Sequence, residues 1–366
     1  KFQDEIRNRV AAQELGQIVW DETHAGTLSH FGGVLEAVED ELAMFAVVSV
    51  NHETTRLPLQ DMTFHAPFTT ESCVVVGNAY HAIHQSLDGM TEPFAAARQT
   101  YLAAIPSDGY NFISTRKIRN AADLRGIRIG VVDRIDGWLD GVEGIPVRLL
   151  PDLLAPRIEA DVLAGALLPN TEMQRLSLKQ QADHYTRTEF GAQVPFVITV
   201  NTLAFEALPA DFVPAAGSAY CAAGAEALET LKKQGIGTAK LLKSRRLQWA
   251  DSLAPLAQAW AQSNDQAGRP GSAAIAAYMQ HLKAAKVTVI RDWSLPAPKG
   301  ALKKMSEPAK EVSQAPANGD ENPDLLARYG VRGFPTLMFI KGGDVVETRT
   351  GVDRKQVLKK VIEEHA

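Results

Sequence analysis

Cysteine is almost missing from this chain. Its 366 residues contain two, Cys73 and Cys221. Two cysteines permit one disulfide and require none, so they leave the redox compartment open and exclude a disulfide-framework protein. Long apolar runs are also missing. Nothing approaches the ~20 residues that a membrane-spanning helix needs, so the chain is not expected to cross a bilayer. No cationic excess exists: 38 Lys and Arg stand against 43 Asp and Glu, a net charge of −5. With no basic stripe interleaved with aromatics, nucleic acid is not an expected partner. There is no Gly-rich phosphate loop, no GxSxG elbow and no paired-carboxylate signature, so nothing marks an enzyme or a bound cofactor. His81 and His84 share a helix face at i, i+3, but no third ligand lies near them in sequence, and no metal is expected. No export signal is visible. The opening Lys1-Phe2-Gln3-Asp4-Glu5 fits an amphipathic helix, so the chain is expected to start after a removed signal peptide.

What is present is ordinary for a globular protein of two or three domains: 45% hydrophobic and 22% charged residues. The most informative stretch runs from Asp108 to Val147. Tyr110–Ser114 alternates and suits a strand. Asn120 to Gly126 reads as a short turn in which Asn120 accepts from the following N–H groups and Gly126 takes positive φ. Ile127–Val132 is a second strand, Ile135–Val142 a helix carrying Trp138, and Gly144–Val147 turns into another strand. Strand, helix and strand in close succession predict a βαβ unit and a parallel sheet. Elsewhere, Phe45–Val50 and Phe196–Asn201 are continuous apolar strands of the buried kind. The stretch from Thr69 to about Ala103 reads as a long helical region, Ala204 to about Gln234 as a long helix closed by Gly235, and residues 236–286 as further helices.

The run Ala122-Asp123-Leu124-Arg125-Gly126-Ile127-Arg128-Ile129-Gly130, followed by Trp138 and Gly144-Ile145-Pro146-Val147, resembles the DLKG-hinge segment of TRAP-transporter solute-binding proteins. Residues 24–50 and Leu57 to Phe68 follow the same family's order of turn, helix and buried strand, and Asn201 precedes the family's Leu208-Pro209…Asp211 opening of a long helix. The resemblance covers roughly residues 1–286 and rests on several weak motifs in the right order. It implies an α/β, two-lobed, periplasmic-binding-protein-like (type II) fold. Lobe I would comprise residues 1–108 plus 197–235, and lobe II residues 109–196 plus 236–286. It further implies a small organic acid held between the lobes, membrane subunits of a TRAP transporter as partners, a periplasmic location, and no catalysis.

The tail is different. Glu321 to Ala366 resembles the second half of a thioredoxin: a helix at Pro323–Tyr329, the Gly333-Phe334-Pro335-Thr336 turn, a hairpin at Leu337–Thr348 around Gly342-Gly343, and a final helix at Arg354–Glu364. Val287–Trp293 resembles the strand leading to that family's W-C-G-P-C-K. Ser294 and Ala297 stand where its two cysteines would be. A hydroxyl neither ionises usefully nor forms a disulfide, so dithiol chemistry is excluded here. Residues 287–366 are therefore expected to form a degenerate or partial thioredoxin-like domain. A peptide-binding role around Pro335 is the alternative to solute binding.

Family members clamp a substrate carboxylate with an arginine on the strand after DLKG. Laid on this chain, that position is Gly130. A second polar position falls about Leu168, and another arginine position on Asn111. If an acid is bound, Arg128 or Arg134 would have to substitute, because a guanidinium grips a carboxylate through two parallel N–H bonds. Strand alternation puts Arg128 on the face of Gly130. Tyr110, Phe68 and Trp138 are candidate apolar walls, with core packing an equal reading for Phe68 and Trp138. Asn201 would serve the hinge or the ligand, or only form a turn.

Overall fold

The computed structural model describes residues 7, 8, 11, 19–23, 27–30, 32–206, 218–295, 336–341 and 344–350. The chain divides into two compact units, Lys1–Ser306 and Glu307–Ala366.

The first unit is built on two sheets. The smaller has three antiparallel strands in the order β1-β8-β2: β1 is Phe45–Ser49, β8 is Phe196–Asn201 and β2 is Gln99–Ile105. The larger has six strands in the order β5-β4-β6-β3-β7-β9, with β3 at Tyr110–Ser114, β4 at Arg128–Val131, β5 at Ile145–Arg148, β6 at Gly165–Pro169, β7 at His184–Arg187 and β9 at Gly237–Lys240. Helices α1 (Val34–Glu39), α2 (Cys73–Ser86) and α3 (Asp88–Ala96) belong with the small sheet. Between β4 and β5 lies the short α4, Gly137–Asp140. Next come α5 (Leu154–Glu159), α6 (Asn170–Arg175), α7 (Thr202–Glu206), α8 (Ser218–Lys233), α9 (Lys243–Ser252), α10 (Leu256–Gln266) and α11 (Gly271–Ala284). Two short crossovers join the sheets, at residues 106–109 and 188–195, and the chain returns to the larger sheet once more between β8 and β9.

Local chemistry explains these elements where the pattern was clearest. Asn120 forms a capping box with Asp123, accepting from the Ala122 N–H while the Asp123 carboxylate takes the Asn120 N–H. Gly126 has φ +69°. The predicted β4-α4-β5 unit is present, and β4 pairs in parallel with both β5 and β6. The sheet is mixed rather than parallel, however, because β3 runs antiparallel to β6 and β7. The long helical region expected to end at Ala103 ends at Ala96 instead. Gln99–Ile105 is a strand, held by pairing with β8 despite its alanines. Likewise Gly237–Lys240, read as helical, is strand β9, drawn into the sheet edge by β7.

Packing also departs from the expected partition into lobes. Of the helices within 236–286, expected in lobe II, α11 packs on α2. The Tyr278 hydroxyl meets Thr69 Oγ1 at 3.4 Å, and the α10 residue Trp260 donates from Nε1 to Asp61 at 2.9 Å. Conversely α8, placed in lobe I by the sequence, lies along α6. It contributes Leu231 to the core of Ile113, Leu154, Leu163 and Tyr185 on the larger sheet. A run of buried aromatics joins the two halves: Phe68–Phe190 at 4.6 Å, Phe190–Trp138 at 4.9 Å, Trp138–Tyr110 at 5.4 Å and Phe190–Trp249 at 5.1 Å between centroids. Each such side chain, fully buried, contributes about 1.5–3 kcal/mol through removal from water.

The segment after α11 belongs to this unit. The N–H groups of Ile290 and Arg291 donate to the Phe68 carbonyl, and Trp293 is fully buried, its Nε1 donating to Pro67 O at 2.6 Å. The Arg291 guanidinium lies 3.9 Å from the Trp293 ring centroid. In the second unit, β10 (Thr336–Lys341) and β11 (Asp344–Thr350) form the expected antiparallel hairpin. The helices read at Pro323–Tyr329 and Arg354–Glu364, and Pro335, lie outside the described residues.

Candidate ligand site between the two sheets

Two polar clusters lie where the halves of the first unit meet. The first joins the loop after β1 to the loop after β4. Asn51 Nδ2 donates to Asp133 Oδ1 at 2.8 Å, and the Tyr110 hydroxyl donates to Asp133 Oδ2 at 2.5 Å. Burial pushes the Asp133 carboxyl above its ordinary range, against the two hydrogen bonds that favour its charged form. One residue past Asp133 and three past Asn51, Arg134 Nη1 donates to Thr54 Oγ1 at 2.9 Å. Arg148, at the end of β5, is ion-paired with Asp136. His52 sits among these groups, its Nδ1 2.9 Å from Ser49 Oγ. Burial, then the charges of Arg148 and Arg134, hold its pKa below the usual histidine value. Arg134 is exposed, and among the described ion pairs it has no carboxylate partner. The seam therefore offers a guanidinium with no carboxylate partner among the described ion pairs, a second cation beside it, and a histidine that an incoming anion would favour protonating.

The second cluster surrounds the two crossovers and is internally neutralised. Glu189 pairs with Arg187 Nε at 3.1 Å, Lys240 Nζ at 2.8 Å and Arg246. Glu71 accepts from Gly191 N–H at 2.9 Å, and burial pushes its carboxyl up. Asp108 accepts from the backbone N–H groups of Asn170 at 2.7 Å and Thr171 at 3.3 Å and from Thr171 Oγ1 at 2.7 Å, fixing the start of α6.

The six sequence candidates are split up by the fold. Arg134 stands in the seam, and Tyr110 reaches it through Asp133. Trp138 and Phe68 are buried in the aromatic run, with Trp138 Nε1 donating to Phe64 O at 2.8 Å. Arg128 shares the face of Gly130 as alternation requires, but it emerges at the sheet rim, where its Nε donates to Val162 O at 2.7 Å. Asn201 accepts from Ala204 N–H at 3.1 Å and donates to Val38 O at 3.3 Å, so it caps α7 and ties it to α1. At Gly130, a Cβ would lie 2.4 Å from Leu154 Cδ2 and 2.9 Å from Leu163 Cδ1. At this position the space is filled by apolar side chains that would have to move to admit an arginine. His81 and His84 are engaged in ring packing: His84 stacks on Tyr101 at 4.1 Å, and burial lowers its pKa to about 3. Among the described residues no group of His, Cys, Asp and Glu is placed to hold a metal. Asn51, His52 and Arg148 were not singled out by the sequence, because the pairing of positions 82 apart has no local signature.

Solved structures share this arrangement of the first unit. A TRAP periplasmic solute-binding protein from Desulfovibrio salexigens superposes with a TM-score of 0.66 at 18% identity, covering 77% of this chain and 91% of that one. The fold is that of the TRAP periplasmic solute-binding proteins. A TRAP solute-binding protein from Rhodoferax ferrireducens, in complex with benzoate, matches with a TM-score of 0.65 at 17% identity over 77% of this chain and 94% of its own. One from Roseobacter denitrificans with bound β-D-glucuronate matches at 0.59 and 15% identity over 77% and 94%. Residues 296–364 match the thioredoxin family model. The chain is 45% identical to a thioredoxin of Chlorobaculum thiosulfatiphilum over 51 residues, 14% of this chain and 47% of that protein. It is 41% identical to one of Bacillus subtilis over 46 residues, 13% and 44%. The chain thus spans about half the length of the curated thioredoxins that it matches. Beside this TRAP-type fold, no described helix is long and apolar enough to cross a membrane.

Proposed function

We propose that the first unit is an extracytoplasmic solute-binding protein. It captures a small organic acid in the seam between its sheets and delivers it to the membrane subunits of a TRAP-type transporter. The observation that carries this reading is Arg134, a cation without a carboxylate partner among the described ion pairs, facing the opposite half through Thr54 and backed by His52 and Arg148. An acid touching both loops would stabilise the closed arrangement, because it interacts with the two halves only when they meet. No bond is made or broken in this role. The bound acids of the structural neighbours, benzoate and β-D-glucuronate, support the ligand class. Calorimetric titration of the full chain with benzoate, 3-hydroxybenzoate, β-D-glucuronate and β-D-galacturonate tests it. At least one should bind to the parent protein, and R134L should weaken it tenfold or more, on the order of the 1.5–3 kcal/mol of a charge-assisted hydrogen bond. Absence of heat with every acid would sink the reading.

The second reading is a peptide-binding module in residues 296–364, favoured by the thioredoxin match combined with the absence of its two thiols.

A further inference from the structure

The two cysteines that sequence left unassigned are joined: Cys73 and Cys221, 148 positions apart in sequence, form a disulfide with Cα atoms 5.6 Å apart. That interval contains both crossovers and all of β3 to β7. Cys73 is the first residue of α2, on the small-sheet side, and Cys221 lies in the first turns of α8. Further along, α8 joins the larger sheet's core through Leu231 and runs beside α6. Three residues past Cys221, at Gly224, a Cβ would lie 2.3 Å from Asp108 Cβ. The backbone of α8 is therefore pressed against the first crossover, whose carboxylate in turn holds the start of α6. The disulfide bolts one half of the binding unit to the helix that rides on the other.

We propose that Cys73–Cys221 is a thiol-exchange site for a dithiol reductant, attacked at Cys221, and that its cleavage unlatches α8 and so loosens the join between the two halves. The two sulfurs are not equivalent. Cys221 is half-buried, whereas Cys73 is only 6% exposed, so an attacking thiolate reaches Cys221 first. Cys73 sits at the N-terminus of a 14-residue helix, where the unsatisfied N–H groups and helix dipole stabilise a departing thiolate. One thiolate of the reductant bonds to Cys221 Sγ as the S–S bond breaks, and the electron pair leaves on Cys73 Sγ. The Cys73 thiolate takes a proton and can then donate to the Pro106 carbonyl, already 3.6 Å away. The reductant's second thiolate displaces Cys221 from the mixed disulfide, and Cys221 is protonated. Two electrons and two protons pass to the protein, and the reductant leaves as its disulfide. The chain has no other cysteine, so the dithiol must come from outside it.

Two measurements on the full chain test this. With limiting glutathione followed by acid quench and peptide mass spectrometry, the mixed disulfide should fall on Cys221. Adducts mainly on Cys73 would overturn the assignment. With excess dithiothreitol, amide exchange in residues 218–233, 106–109 and 188–195 should accelerate by about tenfold or more, while β1, β4 and β8 keep their protection. Unchanged exchange, or loss of far-UV circular dichroism showing that the whole unit unfolds, would make the bridge a plain staple and overturn the proposal. Because neither readout uses an organic acid, the result stands apart from whether the seam binds one.

Discussion

At the scale of single residues, the seam is governed by how Asp133 and Asn51 are satisfied. Both Asp133 oxygens are taken, by Asn51 and Tyr110, which fixes the Asn51 amide with its nitrogen toward the carboxylate. Its Oδ1 is buried without a hydrogen-bond partner, and an acceptor so placed costs about 1–3 kcal/mol until it is paired. An acid that brings a hydroxyl can supply that donor, and one without a donor cannot. In calorimetry 3-hydroxybenzoate should therefore bind about tenfold more tightly than benzoate, and equal affinity would remove Asn51 from the site. Asp133 gives a second expectation. Burial raises its folded pKa above the unfolded value of roughly 3.9. Between those two values the folded state holds a proton that the unfolded chain has lost. Its contribution to stability thus grows as pH falls toward the unfolded value and is lost as pH rises through the folded one. D133N cannot titrate. The melting temperature of the parent should gain on that of D133N as pH is lowered toward 4; a constant difference between the two curves would show that Asp133 is not desolvated.

At the scale of elements, strand β4 shows what sequence could and could not reveal. The Asn120 cap, the Gly126 turn and the strand itself were readable, because each depends on neighbours within a few positions. So were β1, β8 and the β4-α4-β5 unit. The direction of β3 was not, since antiparallel pairing with β6 and β7 is decided by chain crossings more than 50 residues long. Nor were β2 and β9, whose alanines and lysines favour a helix until a paired edge overrules them. Of the ligand candidates, sequence brought Arg134 forward from its charge near the hinge segment, and the structure places it in the seam. Phe68 and Trp138 carried the aromatic character of a ligand wall, but the structure spends both on the core. The same strand carries a sharp test. Placing the family's arginine at Gly130 should not restore an acid site, because the Leu154 and Leu163 methyl groups already fill that direction. G130R should lose about 1–3 kcal/mol or more of stability through overpacking, read from urea midpoints, with no gain in affinity for any acid. A stable G130R with tighter binding would show that this face opens to the ligand after all.

At the scale of the whole molecule, the question is where the first unit stops. Sequence likeness to a thioredoxin strand places the boundary before Val287, because Val287–Trp293 has the apolar character of that strand. Packing places those residues in the first unit, which extends to Ser306. The carbonyl of Phe68 accepts two N–H groups from the segment, Trp293 is fully buried with its indole bonded to Pro67, and Arg291 Nη1 reaches Leu253 O at 2.8 Å. Phe68 itself has φ +63°, an uncommon conformation for a bulky residue, and this strap is what its carbonyl meets. Cutting the chain after Ser306 should leave the first unit's melting temperature within a degree or two. Cutting after Lys286 removes Trp293 and both backbone bonds, a loss of about 3–5 kcal/mol for the indole alone. That lowers the melting temperature by roughly 6 °C or more, at 2–4 °C per kcal/mol for a unit of this size. W293A in the full chain should reproduce most of the drop. If both truncations melt together with the parent, the strap is not part of the first unit, and the resemblance of Val287–Trp293 to a thioredoxin strand is the better guide to where one fold ends and the next begins.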